Sequence, residues 1–320
     1  MKFRFVFYIF CSGLLLFVIA CGPQKKQSRI AYEAGDFAAA ISYLKTELAS
    51  DSTDSQGWLL LGDSYEKVQK ADSAIWAYER GYQINPGTSD IRKALVRLYI
   101  AKAKSLREEK DFGRAIRILE KAEELAPKQF DVFFEKGETY LAAGYLEKAK
   151  NEYRKAQEIA SKDPRPEQRM QQIANREAEA EALLKQGKAQ YDRKRWDRAI
   201  RILEKAVAQN AENPEAKYYL HMARGRRLYK KGSVNALWDA ITEFGYATNI
   251  RPNSAEPLYY MGLAYEKKDR NDFTMPVEVY QKVLEIEPDG EYAKKAKKRI
   301  RYLTNLKTKL EKFWGKKRKK

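Results

Sequence analysis

The nine residues RAIRILEKA stand at Arg114–Ala122 and again, unchanged, at Arg198–Ala206. Ala115, Ile116, Leu119 and Ala122 fall at i, i+1, i+4 and i+7, which is one face of a helix. The Arg, Glu and Lys residues between them fall on the other face. A helix written twice is a repeated catalytic loop, a shared cofactor site or a structural module copied along the chain. The flanking residues decide for the module. Small-plus-apolar pairs or near-pairs recur at Ala40, Ala74, Ala115, Ala149, Ala199 and Ala240, at spacings of 34, 41, 34, 50 and 41. One period of 34 therefore runs through the chain, with added segments of 7, 16 and 7 residues.

The clearest unit is Ser55–Thr88, SQGWLLLGDSYEKVQKADSAIWAYERGYQINPGT. Its Trp58, Leu61, Gly62, Tyr65, Ala74, Tyr78, Gly81 and Pro86 resemble the pattern of the tetratricopeptide repeat (TPR) family. Gly62 lets the second helix of the pair approach the first, and Ala74 is the small residue packed there. Tyr65 and Tyr78 fill the space between the helices, and Pro86 ends the second one. The features return at Gly137, Tyr140, Ala149, Tyr153 and Ala156, and at Gly187, Ala199, Leu203 and Ala206. A last set comprises Gly262, Tyr265, Tyr280, Ile286 and Pro288. No stretch alternates in the manner of a strand.

The resemblance implies an all-α, right-handed TPR solenoid of about seven helix-turn-helix repeats, covering 22–54, 55–88, 89–129, 130–163, 164–213, 214–254 and 255–290. The first unit has Ser28 where a Gly or Ala is usual. The last has Pro276 where Ala belongs, with Thr274 placed to cap a shortened helix. Seven extra residues equal two helical turns, so units three and six are expected to carry longer first helices; in unit six, Lys231-Gly232-Ser233 could hold part of the excess as a loop. Pro164-Arg165-Pro166 stops one helix, and the next predicted helix runs about 28 residues, roughly 42 Å at 1.5 Å per residue. That long helix would divide the array into repeats 1–4 (21–163) and 5–7 (164–290). Ala293, Ala296, Ile300, Leu303, Leu306, Leu310 and Phe313 form an apolar stripe on an amphipathic, basic capping helix over 291–314. Gly315 is expected to end it, leaving a basic tail over 315–320.

The net charge of +18 is concentrated at this end, where residues 291–320 hold 14 Lys/Arg against Glu291 and Glu311, a balance of +12. The body is close to neutral. At the other end, MKFR is followed by an uncharged run, FVFYIFCSGLLLFVIAC, the pattern of an export signal. It is short for a membrane span, which needs about 20 apolar residues. Val18-Ile19-Ala20-Cys21 resembles the bacterial lipobox, which implies a signal peptide over 1–20 and a lipid on Cys21; Phe10 is too bulky for Cys11 to compete. The other reading is an uncleaved anchor with Lys25 and Lys26 at the membrane surface. Both place the chain in a bacterial cell envelope, and Gly22, where inner-membrane lipoproteins carry Asp, favours the outer membrane if the host has two.

Catalytic chemistry finds little to work with. The sequence has a single His, His221, and only Cys11 and Cys21 as thiols, so thiolate–imidazole pairs and zinc sites lack their ligands. No G-x-S-x-G, Walker A or G-x-G-x-x-G sequence is present. His221, between Leu220 and Met222, reads as a packing residue. No cofactor or metal is expected, and the function class is a non-catalytic scaffold or adaptor.

By resemblance to the family, partner peptides or helices lie in a concave groove lined by first helices. The corresponding residues are Leu59, Asp63, Glu66, Ile100, Lys104, Phe134, Glu138, Leu141, Leu184, Lys188, Tyr191, Tyr259 and Glu266. The Lys and Asn arrangement with which chaperone-binding members clamp a C-terminal carboxylate is missing. The expected partners are envelope proteins, and the membrane through the lipidated N-terminus. For Lys316, Lys317, Arg318, Lys319 and Lys320 three readings stand: a solvated cap, a contact with anionic lipid, or nucleic-acid binding aided by Tyr302, Phe313 and Trp314. Export from the cytosol argues against the last. If the tail is what matters, the chain is instead a peripheral binder of polyanions with the solenoid as spacer.

Overall fold

The structure, a computed structural model, describes residues 26–317, and side chains as far as Phe313. Fifteen helices follow one another: α1 (Gln27–Glu33), α2 (Phe37–Ser50), α3 (Ser55–Lys67), α4 (Ala71–Ile84), α5 (Ser89–Glu108), α6 (Phe112–Leu125), α7 (Phe130–Ala142), α8 (Leu146–Ile159), α9 (Arg165–Asp192), α10 (Trp196–Gln209), α11 (Pro214–Lys231), α12 (Val234–Ile250), α13 (Ala255–Lys268), α14 (Thr274–Ile286) and α15 (Glu291–Lys317). They form seven helix pairs and one C-terminal helix, an all-α solenoid of TPR units. The six alanines that set the period, Ala40, Ala74, Ala115, Ala149, Ala199 and Ala240, are all fully buried. In both copies of the nine-mer the apolar face points inward: Ala115, Leu119 and Ala122 are fully buried, as are Ala199 and Leu203. The arginines, glutamates and lysines between them are exposed.

Two devices recur among the pairs. The first is a glycine lying under a side chain of the second helix. A Cβ added to Gly62 would stand 2.3 Å from the Tyr78 ring, one on Gly137 2.5 Å from Tyr153, one on Gly225 2.5 Å from Phe244, and one on Gly262 2.5 Å from Tyr280. In the fifth pair Leu203 takes the ring's place, 2.6 Å from a Cβ on Gly187. The second device is the turn. Gly35, Gln69, Lys110, Gly144 and Lys194 each adopt the left-handed conformation, with φ between 57 and 81°. The next residue's N–H then reaches back five residues, as in Asp36 to Ala31, Lys70 to Tyr65, Asp111 to Leu106, Tyr145 to Tyr140 and Arg195 to Gln190. This is the Schellman closure, and it satisfies carbonyls that the helix end leaves open.

The added segments are placed by the same logic. In the third repeat α5 takes the whole excess and reaches 20 residues. In the sixth both helices lengthen, α11 to 18 and α12 to 17 residues, across a turn of only Gly232 and Ser233. Lys231 is helical, so the excess is not a loop. The seventh repeat's α14 keeps Pro276 in its first turn, but Thr274 does not cap it. Asp272 does, accepting from the backbone N–H groups of Thr274 and Met275 at 3.0 and 3.1 Å.

Helix α9 has the expected 28 residues, and its extra turns join rather than separate. Ile173 is buried among Leu141, Leu146, Ala149 and Tyr153 of the fourth repeat. Arg176 donates to the Leu141 carbonyl at 2.8 Å and the Gln209 carbonyl at 3.0 Å, and Ala211 N–H donates to the Gly144 carbonyl at 2.8 Å. The chain does divide into two compact units, residues up to 105 with 117–127, and 106–116 with 128 onward. The division therefore falls inside the third repeat, not at the prolines near 164. The capping helix also differs from expectation: α15 continues through Gly315 to Lys317. Only its first half caps, with Ala293 and Ala296 fully buried and Leu303 nearly so, while Leu306 and Leu310 are half-buried and Phe313 is exposed.

The glycine contact yields a direct test. Gly137→Ala forces a methyl group against the Tyr153 ring and should cost about 1–3 kcal/mol of stability. Gly245→Ala, where the nearest atom to a Cβ is Met261 Cε at 3.9 Å, should gain up to about 1 kcal/mol from helix propensity. Urea denaturation of the two variants checks the opposite signs.

Candidate partner-binding site

The acidic residues expected in the groove are already in use. In the N-terminal unit the Tyr78 hydroxyl, carried out from over Gly62, donates to Asp63 at 2.5 Å and Glu66 at 2.7 Å, and Arg97 of the next repeat donates to Glu66 at 2.7 Å. In the C-terminal unit Tyr153 donates to Glu138 at 2.6 Å, and Arg169 grips the same carboxylate at 2.6 and 3.2 Å. Arg107 stands 3.6 Å from Glu138 and 2.6 Å from buried Glu135. Tyr280 donates to Glu266 at 2.6 Å, and Arg299 donates to it as well. A ring hydroxyl from inside one repeat, a carboxylate, and an arginine from the following helix pair or α15 thus recur three times. Burial raises the pKa of Tyr78, Tyr153 and Tyr280 far above the ordinary phenol value, with acceptor carboxylates adding to it at the first two. Burial also raises that of Asp63, with Glu66 adding to the effect while the Tyr78 hydrogen bond opposes it.

Three further expectations are corrected by burial. Leu141, Leu184 and Tyr191 are core residues, 7%, 5% and 6% exposed, because each packs against the second helix of its own repeat or its neighbour. Leu59, Ile100, Phe134 and Tyr259 are half-buried, and Lys104 and Lys188 are exposed. Phe134 stacks on Phe130 at 5.5 Å beneath the Arg165 guanidinium. His221 hydrogen-bonds Glu243 at 2.7 Å and lies 5.1 Å from the Tyr246 ring. Cys21, Arg318, Lys319 and Lys320 lie outside the described residues; Lys316 and Lys317 are in the last turn of α15. Among the described residues no group of three or more His, Cys, Asp or Glu is arranged to hold a metal ion.

A different site emerges in the C-terminal unit. An open cavity of about 750 Å³ lies where α11 begins, α12 passes into α13, and α14 passes into α15. Rings of Tyr218, Tyr219 and Tyr292 line it, with Arg251, Glu256, Glu287 and Glu291 as its charged groups. Arg251 ends α12; its guanidinium lies 4.0 Å from the Tyr218 ring centroid and pairs with Glu215. Glu256 accepts from the Tyr191 hydroxyl at 2.8 Å. Beside it Arg226 sits between Trp196 and Tyr260, 4.7 and 3.6 Å from their centroids. Lys188 stands 5.0 Å over Tyr219, and Tyr259 lies 5.4 Å from Tyr292. These are the expected groove residues that the structure brings to the cavity's rim. Tyrosine faces with carboxylates around them suit a segment that offers apolar area and a basic side chain. The signal in the sequence was the pair of doublets Tyr218-Tyr219 and Tyr259-Tyr260, with Tyr292 following at nearly one further period. Positions taken from the family pattern included Tyr259 but passed over Tyr218, Tyr219, Tyr260 and Tyr292, which mark the N-terminal turns of α11, α13 and α15 and not the groove floor.

Residues 25–166 match the TPR domain of cytochrome c-type biogenesis protein H, and residues 181–213 match a tetratricopeptide repeat. Both matched stretches are tetratricopeptide repeats, and over them the chain belongs to that repeat family. Similar solved structures include YrrB, a TPR protein with an unusual peptide-binding site (21% identity over 69% of this chain and 98% of that one, TM-score 0.30). The first TPR of Spaghetti (RPAP3), bound to an HSP90 peptide, is 18% identical over 40% of this chain and 93% of that one, with TM-score 0.32. A tetratricopeptide repeat protein from Parabacteroides merdae is 12% identical over 87% and 96%, with TM-score 0.33. No curated protein sequence is similar enough to count as a match.

The carboxylate locks predict stability effects and no binding effect. Glu138→Ala strands Arg169, Arg107 and the Tyr153 hydroxyl and should cost about 2–3 kcal/mol, whereas Tyr153→Phe should cost about 1 kcal/mol. Chemical denaturation of both, and of the double variant, checks this; the two losses should not add, because the groups share one network.

Proposed function

We propose that the protein is a non-catalytic scaffold, lipid-anchored in the bacterial cell envelope, which holds a segment of a partner protein in the tyrosine-lined cavity of its last two repeats. TPR domains mediate protein–protein interactions, and the residues available here suit that task better than catalysis. The observation that carries the reading is the contrast between the carboxylates locked to Tyr78, Tyr153 and Tyr280 and the open cavity at half-buried Tyr219 and Tyr292, which buried Tyr218 backs. A partner segment there would gain aromatic contact area and a basic residue's interaction with Glu287 and Glu291. The outer membrane and a role in assembling a membrane, secretion or surface complex belong to the same proposal, resting on the export signal and the Val18–Cys21 lipobox.

Two experiments test it. A photocrosslinker at Tyr219 in intact cells should capture a reproducible envelope protein, and Tyr292→Ala should reduce its recovery about tenfold, as expected for an aromatic anchor, in a chain whose circular dichroism shows it still folded. Capture that is indifferent to Tyr292, or no capture at all, rejects the cavity as the working site. Separately, Cys21→Ser should abolish lipid labelling and signal-peptide cleavage; unchanged mass and fractionation would favour the uncleaved anchor.

A further inference from the structure

Helix α15 is longer than anything it packs on. Tyr292 meets Tyr259 at 5.4 Å, and Arg299 meets Glu266 at a sequence offset of 33. In that register α13, which ends at Lys268, is level with Arg301. Tyr302, Leu303 and Leu306 still face the α13–α14 turn across a small cavity, and the rest of α15, to Lys317, overhangs the last repeat by about 16 Å at 1.5 Å per residue. The exposed edge from which it projects is the one carrying the α11–α12 and α13–α14 turns. Leu306 and, on the overhang, Leu310 and Phe313 continue the stripe begun by Leu303, about 80° of helix surface at 100° per residue, with Lys307 and Lys309 flanking it on either side. Phe313 is 54% exposed.

The edge itself has the same character. Val234 and Trp238, one turn apart at the start of α12, are 58% and 49% exposed. Lys268 Nζ lies 3.7 Å from the Trp238 ring centroid. Lys267 Nζ donates to the Tyr229 carbonyl at 3.0 Å, beside Gly232 and thus beside Lys230 and Lys231. Arg270 lies in the following turn. The acids here are Asp269 and Asp272, engaged by backbone N–H groups of Asn271, Thr274 and Met275, and Asp239 on α12.

We propose that this edge and the overhanging half of α15 form one membrane-docking surface for anionic phospholipid, with Phe313, Leu310, Trp238 and Val234 entering the interface and the surrounding lysines at headgroup level. Phe313, Leu310, Trp238 and Val234 lie on a projecting helix and at the start of α12, outside the small cavity that Tyr229, Lys267, Arg270, Tyr302 and Leu306 line between α13 and α15. A narrow apolar stripe flanked by lysines is the form of a helix that lies in a bilayer interface, its lysine stems buried and their charges in water. Basic residues at such a surface select anionic lipid. The proposal goes beyond partner binding at the tyrosine-lined cavity and stands independently of it.

The test uses the full chain in a Cys11→Ser, Cys21→Ser background, with an environment-sensitive fluorophore on one introduced cysteine at a time. Phe313→Cys and Leu310→Cys should brighten about threefold and blue-shift with vesicles containing about 30% phosphatidylglycerol, as expected on entering the interface. Thr308→Cys and Lys312→Cys, on the opposite face, should not, and glutamine at Lys230, Lys231, Lys267 and Lys268 should reduce the response. No response at any position overturns the proposal. So does an equal response at all four, which would report proximity brought about by the N-terminus, or an equal response to neutral vesicles. An equal response to polyglutamate would show a polyanion site and overturn it too. Unchanged circular dichroism of each labelled chain excludes loss of fold as the cause.

Discussion

An aromatic ring lying flat against a glycine is the contact from which the rest of the molecule follows. Gly62, Gly137, Gly225 and Gly262 leave room for a ring where any side chain would collide, so the two helices of a pair can close on one another. The ring fills the interior, and Tyr78, Tyr153 and Tyr280 are fully buried. A buried tyrosine must still satisfy its hydroxyl. Because the ring passes between the helices, its hydroxyl emerges on the far side of the first helix, where the next repeat or α15 stacks. There it meets Glu66, Glu138 or Glu266, and an arginine from the next element completes the group. Packing within a pair and joining between pairs are therefore one connected interaction. Where Leu203 replaces the ring there is no hydroxyl to place, and that junction relies on edge-to-face contacts of Tyr191 with Trp196 and Tyr219 instead.

This coupling changes what the inner face can offer. Carboxylates at the first-helix positions that family members use for ligands are here spent on cohesion. A partner binding to Glu138 would have to displace Arg169 and the Tyr153 hydroxyl, leaving each unsatisfied, a cost of the order of the buried pair itself, about 3 kcal/mol or more. Recognition is cheaper where the aromatic residues are only half-buried, at the turns around Tyr219 and Tyr292.

The sequence made the helix pairs legible because their signals are local and repeated. The period of buried alanines, the glycine 12 residues before Ala74, Ala149 and Ala199, and the Pro164–Pro166 stop each carry their meaning in the residue type itself. The 28-residue α9 was visible as an absence of breakers. Less visible was what its extra turns would do: Ile173 and Arg176 tie the fourth and fifth repeats together through carbonyl groups that no residue type announces. The groove residues were harder still. Exposure at a family position depends also on what the neighbouring repeat projects onto it: Ile173 joins the cluster around Leu141, and Tyr219 packs against Tyr191. The end of α15 shows the same limit in reverse. Its stripe is continuous in sequence, yet burial stops near Leu303 because α13 and α14 are too short to meet the rest.

Charge distribution and shape then point the same way. The body is close to neutral, with its arginines and glutamates paired across repeats, so long-range attraction to anionic surfaces must originate in the last 30 residues and the lysine-rich turns near them. A basic helix tightly packed along its length would present charge without apolar contact, and its binding would fade as salt screened it over the Debye length of about 8 Å at physiological ionic strength. An overhanging helix differs, since Leu306 and Leu310 are only half-buried and Phe313 is 54% exposed. Leaving such a stripe in water has a free-energy cost of about 25 cal/mol for each Å² of apolar surface, and nothing within the repeat array removes it. Length mismatch between α15 and α13 thus converts a capping element, by geometry alone, into a surface that is more stable when something apolar and anionic lies beneath it.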